Sequence, residues 1–225
     1  MYFDEDLILE LRLNILNEYV DKFVIVEATR DHAGNKKSLN FDIKKFPQFE
    51  NKITYLIVDD IPEKVENYKK GWSPNFFREN FNRNAISRAL TECSQNDLII
   101  ISDADEIPNL EILNYIQIKK FAIFSQKEFI YKLNLISNQS WNGSSICIKK
   151  YLKSPQWLRD KKFTRRGFLR KIFFKTQFLT NGGWHFSFLK NPDGIIKKLN
   201  SYAHSEFAVF GNHEFIKKNI ENKKF

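Results

Sequence analysis

Asp97 to Pro108, D-L-I-I-I-S-D-A-D-E-I-P, is the stretch that decides the predicted fold of this chain. Within it, Leu98 to Ile101 are four apolar β-formers without a polar break, which favours a strand buried on both faces of a parallel sheet. Asp103, Asp105 and Glu106 follow directly, and the closing proline suits the first turn of a helix. Ligands of open α/β sheets bind at the carboxyl ends of the strands. The stretch therefore predicts a central strand that carries three carboxylates to a binding edge.

Three carboxylates this close in sequence repel one another unless a cation or solvent lies between them. Mg²⁺ and Mn²⁺ take oxygen ligands, and they commonly link one or two carboxylates to the phosphates of a substrate. The pattern therefore indicates a divalent-metal site for a phosphorylated ligand. The alternative is that Asp105 or Glu106 only caps a helix that begins near Pro108, because short acidic clusters after strands are frequent.

The composition is that of a globular protein. A length of 225 residues fits one domain, 1–225, with a substantial core, and the many phenylalanines argue against intrinsic disorder. Two cysteines, Cys93 and Cys147, are too few and too distant for a disulfide framework or a zinc pattern. No run is long and apolar enough to span a bilayer, and the first residues have no signal-peptide pattern. We therefore expect a cytoplasmic protein.

The net charge of +9 comes from lysines and arginines that are spread along the chain. Dispersed basic residues are usually solvated surface, so we expect no nucleic-acid partner. The excess charge predicts attraction to anionic sugar nucleotides, or peripheral association with the inner face of an anionic membrane.

Apolar periodicity predicts alternating helices and strands in the first half of the chain. Asp4 to Val20 has the pattern of an amphipathic helix, whereas Phe23 to Val26 and Ile53 to Val58 have the pattern of strands. Such alternation favours an α/β fold with a doubly wound, mostly parallel sheet. Because the chain begins with a helix, we expect either that a first strand precedes Met1 or that its place is filled otherwise.

A polar loop follows the first predicted strand. Glu27 ends that strand, and the loop after it contains Gly34. A strand that leads into a polar, glycine-containing loop repeats the construction at Asp103, so both loops are predicted to border one pocket. The alternative is an ordinary surface turn.

A second helix has a clear predicted start, because Ser73 can cap it and Pro74 suits its first position. It carries Arg78 and Arg83, whose guanidinium groups suit bidentate contact with phosphates. The alternative for Arg83 is an ion pair with Glu79, four residues earlier on the same face.

The pattern changes after a helix predicted near Asn109 to Lys119. Short segments rich in phenylalanine, tyrosine and isoleucine, separated by polar connections, indicate a more antiparallel half that forms the acceptor side of a cleft. These segments are Ala122 to Phe124, Phe129 to Leu135, Ser145 to Ile148 and Phe168 to Phe174.

Two polar groups lie near the C-terminus. Gly182 to Ser187 places two glycines before a Trp-His pair, which allows the backbone to approach a ligand closely. His185 and His204 are candidates for metal ligation or phosphate contact, and Glu206 is a candidate base; the alternative for each histidine is a hydrogen-bonded structural role. No Walker loop, no dinucleotide-binding glycine motif and no nucleophile elbow is present, which excludes several common enzyme classes.

Taken in order, these motifs resemble glycosyltransferase family 17, whose best-known members are N-acetylglucosaminyltransferases. The resemblance covers nearly the whole chain. It is carried by Phe3-Asp4-Glu5-Asp6-Leu7 with Leu9, Leu11, Arg12 and Leu13; Val20 to Glu27; Arg78, Glu79 and Arg83; Ile101 to Pro108; Gly183 to Ser187; and Ser201 with His204 and Glu206.

The resemblance implies a glycosyltransferase A-type, Rossmann-like α/β/α sandwich, with a nucleotide-sugar-binding half (1–120) and an acceptor-side half (121–225). It implies inverting transfer of a sugar, expected to be N-acetylglucosamine, from a UDP-sugar to a hydroxyl of a glycan or lipid-linked glycan. A divalent cation, Mn²⁺ or Mg²⁺, would lie on the diphosphate. Because no Golgi anchor is present, we expect a bacterial-type cytosolic enzyme that builds surface glycans.

Family positions assign roles to individual residues. Asp105 would ligate the metal, Asp103 would lie near the ribose or a metal-bound water, and Glu106 would support their loop. The residues expected at the donor are Glu27, Arg78, Arg83, Asp103 and His185; those expected at the metal are Asp103, Asp105 and His204; and the candidate bases are Glu206 and Asp193. The rival hypotheses are an inactive nucleotide-sugar-binding module and a metal-dependent phosphohydrolase that uses the same acids.

Overall fold

The computed structural model of the chain describes residues 1–63, 73–161, 176–201 and 213–222. The α-helices are α1 (Asp6–Leu16), α2 (Pro74–Asn84), α3 (Pro155–Asp160), α4 (Pro192–Ser201) and α5 (His213–Asn222). The strands are β1 (Phe23–Ala28), β2 (Ile53–Val58), β3 (Leu98–Ile101), β4 (Glu106–Pro108), β5 (Phe121–Ile130), β6 (Ile136–Ile148), β7 (Gln177–Leu179) and β8 (Gly183–Ser187). Short 3-10 helices connect them at Ile43–Lys45, Pro47–Lys52, Ala85–Ala89, Leu110–Asn114 and Lys149–Tyr151.

The strands form two sheets. β1 and β2 pair in parallel, as the alternating pattern predicted. The larger sheet has the order β3-β6-β5-β8-β4, with β7 beside β5. In it, the β3–β6, β5–β6 and β4–β8 pairs are antiparallel, whereas β5 is parallel to β7 and β8. The fold is therefore α/β with a mixed main sheet. The prediction of a mostly parallel central sheet is wrong. The second half, predicted to be more antiparallel, is mixed, because its long β5–β6 pair is antiparallel but β7 and β8 lie parallel to β5.

The direction of β3 explains why the apolar run Leu98 to Ile101 led to the wrong prediction of a central parallel strand. Leu98 lies opposite Ile148 in an antiparallel register, and β3 is the first strand of the order rather than a central one. Ile146 and Cys147 are neighbours in β6 but pack into different core clusters, since alternate side chains face opposite sides of a sheet. A strand between two such clusters is apolar throughout, whichever way it runs.

The main sheet has to curve to place the acidic loop. β3 and β4 lie at opposite ends of the strand order. In a flat sheet with strands about 4.8 Å apart, the distance between these two strands would be roughly 19 Å. Only residues 102–105 join them, and such a connection reaches roughly 17 Å even when fully extended. The sheet therefore curls, and this curl brings β4 over the β6 side chains Trp141 and Ser144, which both contact Glu106.

The predicted helix start at Pro108 is wrong, because Glu106 to Pro108 form strand β4 and pair with β8. Proline lacks an N–H and is tolerated in a strand only where no partner needs that donor. β4 is the last strand of the order among the described residues, so no strand of that part of the chain pairs with its outer edge. The helix predicted near Asn109 to Lys119 is reduced to the 3-10 turn Leu110–Asn114, which Asn109 caps by accepting from the N–H of Glu111.

The two predicted helices of the first half are confirmed, although both are shorter than their apolar patterns. α1 buries Ile8, Leu9, Leu13 and Leu16 against the core. α2 begins as predicted, with Pro74 at its first turn and the Ser73 hydroxyl accepting from the N–H of Phe76 at 3.4 Å. In the part of the chain that the structure describes, no helix has the length and apolarity required to cross a membrane. The predicted strand Phe168 to Phe174 lies outside the described residues.

Candidate active site

The acidic loop 102–105, between β3 and β4, is fastened at both of its ends by one arginine. Arg12 of α1 donates to the hydroxyl of Ser102 and to the backbone oxygen of Glu106. Burial lowers the pKa of Arg12 to about 10, and the nearby carboxylates oppose a larger shift. The guanidinium therefore remains charged at neutral pH, and α1 holds the loop in place.

Glu106 is the buried anchor of the loop. Its carboxylate accepts from Arg159 at 2.7 and 2.9 Å, from the indole N–H of Trp141 at 2.8 Å and from the backbone N–H of Asp103 at 3.1 Å. The residue is fully buried, and a buried carboxylate is stable only when it is paired and hydrogen-bonded in this way. Glu106 thus fixes the conformation of the loop, the supporting role that the family resemblance implied.

Asp103 lies between two arginines. Its Oδ1 is 3.1 Å from Arg83 and its Oδ2 is 2.8 Å from Arg159. Although burial lowers the pKa of Arg159, Asp103 and Glu106 outweigh that effect and raise it above its usual value. Arg83 also pairs with Glu79 at 2.7 Å, so the predicted Glu79–Arg83 pair is present and extends to the acidic loop.

Asp105 faces α4 and β8. Its Oδ2 accepts from Lys198 at 2.9 Å, and its Oδ1 lies 3.8 Å from Nε2 of His185. Burial acts to raise the pKa of Asp105, but Lys198 and His185 together lower it below the usual value. Asp105 therefore carries its negative charge at neutral pH. This ionised carboxylate is the form that binds a cation or accepts a proton.

His185 links the acidic loop to the long hairpin of β5 and β6. Its ring stacks on Trp141 at 4.4 Å with 16° between the planes, and its Nδ1 lies 3.5 Å from Glu128 of β5. Burial acts to lower the pKa of His185, but Glu128 and Asp105 raise it overall. The imidazole is thus held between two carboxylates, with its ring orientation set by the indole.

A pocket opens beside the acidic loop. Its walls come from the N-terminal residues, the loop after β1, the face of α2 that carries Glu79, Asn82 and Arg83, and Lys198 of α4. The lining residues are Met1, Tyr2, Phe3, Glu5, Ala28, Arg30, Asp31, His32, Lys37, Glu79, Asn82, Arg83, Asp103, Ala104, Asp105 and Lys198. Burial lowers the pKa of His32, so this side chain is neutral at neutral pH. The pocket therefore combines fixed carboxylates, four basic side chains and neutral polar groups.

Three of the predicted site residues meet at this pocket, since Arg83, Asp103 and Asp105 all line it. The polar loop after β1 also borders the pocket, which confirms that the two strand-end loops share one site. His185 lies behind Asp105 and contacts it without lining the pocket.

Glu27 and Arg78 lie beneath the loop after β1. Glu27 is fully buried and accepts from the Tyr55 hydroxyl at 2.9 Å, from the backbone of Asn40 and Phe41, and from Lys37. Arg78 donates to the backbone oxygen of His32 at 3.3 Å and packs against Gly34, where an added Cβ would lie 2.7 Å from the guanidinium carbon. Both side chains support the loop from below.

The remaining predicted site residues lie elsewhere. Asp193 starts α4 with its side chain 82% exposed, and it lies 3.8 Å from Nε2 of His213 on α5. His204 and Glu206 lie outside the described residues. Their assignments to the metal and to the base stay predictions, as does that of Asp193.

The sequence did not point to Arg159 or Lys198, although each pairs with an aspartate of the acidic loop. Both follow that loop by more than 50 residues, and single basic residues are common throughout this chain. Asn82 was also missed, although its spacing from Glu79 places the two on one helix face. Only the packing of α2, α3 and α4 brings these side chains to the acidic loop or to the pocket beside it.

The described residues contain no group of three His, Cys, Asp or Glu side chains arranged to hold a metal. Magnesium-type cations are usually bound by one or two carboxylates together with substrate phosphates rather than by an all-protein cage. Asp105, with its lowered pKa and its place on the pocket wall, fits that mode, and Asp103 is the adjacent carboxylate. The donor set therefore fits a cation that is shared with an anionic ligand.

Fold and site together define an α/β protein with a charged pocket built on an acidic strand–loop–strand motif. This chain belongs to glycosyltransferase family 17, whose family model matches residues 1–223.

Curated relatives agree with that placement. The chain is 24% identical over 233 residues to a β-1,4-mannosyl-glycoprotein 4-β-N-acetylglucosaminyltransferase of Homo sapiens, a match that covers 92% of this chain and 43% of the relative. The enzymes of the same name from Rattus norvegicus and Mus musculus are also 24% identical, each with 42% of its length covered. The chain thus spans less than half the length of these relatives. No solved structure matches it.

Proposed function

We propose that this chain is an inverting N-acetylglucosaminyltransferase that moves the sugar of a UDP-sugar to a hydroxyl of a glycan or lipid-linked glycan. Membership of glycosyltransferase family 17 and the names of its relatives support this proposal. The structural observation that carries it is the position of Asp105 and Asp103 on the wall of a pocket that also bears Arg30, Lys37 and Lys198.

The charges of the pocket suit a nucleoside diphosphate sugar. Guanidinium and ammonium groups bind phosphate oxygens, whereas carboxylates and amides hydrogen-bond to sugar hydroxyls. Arg30 and Lys37 enter from the loop after β1, and Lys198 enters from helix α4. This distribution supports a glycosyltransferase A-type arrangement, in which the parallel β1–β2 sheet and the acidic loop hold the donor.

A divalent cation in this site would be held by Asp105, with Asp103 and, by family resemblance, His204 as further candidates. When bound, it supplies positive charge that stabilises the departing nucleoside diphosphate. The chain's own cations act in the same direction, since Lys198 and Arg83 lie on the pocket wall beside the two aspartates. Mn²⁺ and Mg²⁺ are the expected ions because the available ligands are oxygens.

Inversion requires one in-line displacement at the anomeric carbon. The acceptor oxygen forms its bond to that carbon while the bond to the diphosphate oxygen breaks, and a base takes the acceptor proton. We assign the base to Glu206 or Asp193. Asp105 is unsuited to this role, because Lys198 and His185 lower its pKa and so weaken it as a proton acceptor. The acceptor is expected on the antiparallel side, where β5 and β6 extend beyond the pocket.

Calorimetric titration of UDP and UDP-N-acetylglucosamine, with Mn²⁺ and again with EDTA, tests this proposal. We expect Mn²⁺-dependent binding that is lost in Asp105→Ala and kept in Asp60→Ala, a control in which the lost carboxylate pairs with Arg88 at the surface. Equal binding by Asp105→Ala and the wild type would contradict the metal role. If the protein bound only GDP-sugars or CMP-sugars in a parallel panel, the donor would not be a uridine nucleotide.

Transfer to a glycan acceptor separates catalysis from binding. Release of UDP only when the acceptor is present supports the transferase. Binding without any transfer would favour the inactive sugar-nucleotide-binding module, and cleavage of simple phosphate esters would favour the phosphohydrolase. Comparison of Glu206→Gln with Asp193→Asn identifies the base, because only the variant that lacks it should lose turnover while still binding UDP. Normal turnover in both variants would exclude both assignments.

A further inference from the structure

Asn82 stands out on the α2 wall of the pocket. Its side chain is 5% exposed, and it lines the pocket between Glu79 and Arg83. The Oδ1 of Asn82 is buried and accepts no hydrogen bond from any residue within 1–63, 73–161, 176–201 or 213–222. A buried polar oxygen without a partner is rare in folded proteins, so each case calls for a physical explanation.

Three neighbours of Asn82 on the same helix, Glu79, Arg83 and Asn84, do have partners. Glu79 pairs with Arg83, and Arg83 reaches Asp103 as well. Asn84, two residues further on, accepts the backbone N–H of Gln156 at 3.0 Å. In helix α2, the side-chain oxygen of Asn84 is thus hydrogen-bonded within the fold. The side-chain oxygen of Asn82, which lines the pocket, has no partner among the described residues.

The partner of Asn82 has to donate a hydrogen, because an amide oxygen only accepts. A water or a ligand hydroxyl could do so, but phosphate oxygens could not. A nucleotide sugar carries hydroxyls on its ribose and on its transferred hexose, and both lie next to the diphosphate that the pocket cations would bind. The site therefore has a place for a sugar hydroxyl on the α2 wall, close to the aspartates of the acidic loop.

We propose that Asn82 is a donor-recognition residue whose side-chain oxygen accepts a hydrogen bond from a hydroxyl of the bound sugar nucleotide. This inference rests on the proposed function, because it needs a sugar nucleotide in the pocket. It adds a specificity-determining residue on α2 to the acidic loop and the pocket cations. A ribose hydroxyl and a hexose hydroxyl share this chemistry, and the ligands of the test distinguish them.

The test substitutes Asn82→Leu, whose side chain has the same number and branching of heavy atoms but no polar atoms, and uses Asn84→Leu as its control. Replacing a buried, unpartnered oxygen with an apolar group removes a destabilising feature, so the melting temperature of Asn82→Leu should equal or exceed that of the wild type. Asn84→Leu removes a hydrogen bond made within the fold, so its melting temperature should fall. The two variants should therefore move stability in opposite directions.

Calorimetry with UDP and UDP-N-acetylglucosamine gives the binding result. We expect Asn82→Leu to bind UDP-N-acetylglucosamine about tenfold more weakly, as for the loss of one hydrogen bond, and Asn84→Leu to bind it normally. An equal loss for UDP assigns the contact to the nucleoside, whose ribose carries the hydroxyls, whereas unchanged UDP binding assigns it to the hexose.

Two results would overturn the inference and leave the proposed function intact. One is unchanged binding of both ligands by Asn82→Leu, which would assign the Asn82 oxygen to a buried water. The other is a melting temperature that falls as far as that of Asn84→Leu, which would make Asn82 a structural residue. If wild-type protein bound no sugar nucleotide of any base, the proposed function would fail first and this inference with it.

Discussion

Arg159 and Glu106 form a buried, two-point ion pair, with Nη1 2.7 Å from Oε2 and Nη2 2.9 Å from Oε1. The two residues are 53 positions apart, and the pair joins helix α3 to the start of strand β4. The same guanidinium holds Asp103 at 2.8 Å. The conformation of the acidic loop therefore depends on the docking of α3, and the site depends on a contact that no local pattern specifies.

Arg159→Met should destabilise the protein strongly. It leaves Glu106 buried without its main partner, and breaking a buried ion pair in this way costs about 3–5 kcal/mol. For a chain of this length, the expected fall in melting temperature is on the order of 10 °C. Thermal denaturation followed by circular dichroism measures it.

The matched control is Arg88→Met, which breaks the exposed pair with Asp60 and should cost less than about 1 kcal/mol. Combining Arg159→Met with Glu106→Gln should recover part of the loss, because the remaining partner no longer carries a charge. An Arg159→Met variant as stable as Arg88→Met would show that the buried pair does not hold the loop.

Gly183→Ala should break the pairing of β8 with β4. Gly183 has φ +110°, and an added Cβ would lie 2.1 Å from the backbone oxygen of Ile107 and 2.6 Å from the backbone nitrogen of Asn109. The positive φ alone costs an alanine about 1–2 kcal/mol, and the backbone clash adds to it. Urea denaturation should therefore show a clear loss of stability.

Gly194→Ala is the glycine control, because its Cβ would meet Asn191 and Lys190 side-chain atoms no closer than 3.0 Å within helix α4. Alanine is the better helix former, but the two neighbouring side chains would have to shift by a few tenths of an ångström. Any loss of stability should therefore be much smaller than for Gly183→Ala. Equal losses in the two variants would argue against a specific need for glycine at Gly183.

His32 should make stability depend on pH. Burial lowers its folded pKa below the unfolded value of about 6.5, so the unfolded state binds more protons. Stability is full above that pH and is lost as the pH falls from there towards the folded pKa. As the pH is lowered from 8 to 5, we expect the melting temperature of His32→Gln to rise relative to that of the wild type. A constant difference in melting temperature between His32→Gln and the wild type across this range would contradict the prediction.

The two cysteines should differ in reactivity. Cys147 is fully buried in β6, and burial raises the pKa of its thiol to about 12. Because the thiolate is the reactive form, iodoacetamide at pH 8 should leave Cys147 unmodified in the folded protein and label it in guanidinium chloride. Cys93, which is half-buried, serves as the internal comparison and should react first, with peptide mass spectrometry as the readout. Rapid native labelling of Cys147 would show that the β3–β6 pair opens easily.

Local patterns were sufficient where one segment decides its own structure. The Ser73 cap, the start of α2, strands β1 and β2 and the burial of Ile99 and Ile101 in β3 follow from side chains that are close in sequence, whereas Leu98, also predicted to be buried, is 46% exposed. The acidic loop was also predicted, because polar residues that directly follow a buried strand usually lie in a loop at the end of the sheet. The direction of β3 and the strand at Pro108 were not, because burial leaves the same apolar run in parallel and antiparallel sheets.

The sequence by itself determined that this chain is an α/β protein of glycosyltransferase family 17 with carboxylates at a strand end. The tertiary structure decided what those carboxylates meet. Arg83, Arg159 and Lys198 reach the acidic loop from three separate helices, and Asn82 borders the same pocket. Such contacts depend on how helices pack across a curled sheet, and packing is a property of the whole chain that no short stretch encodes.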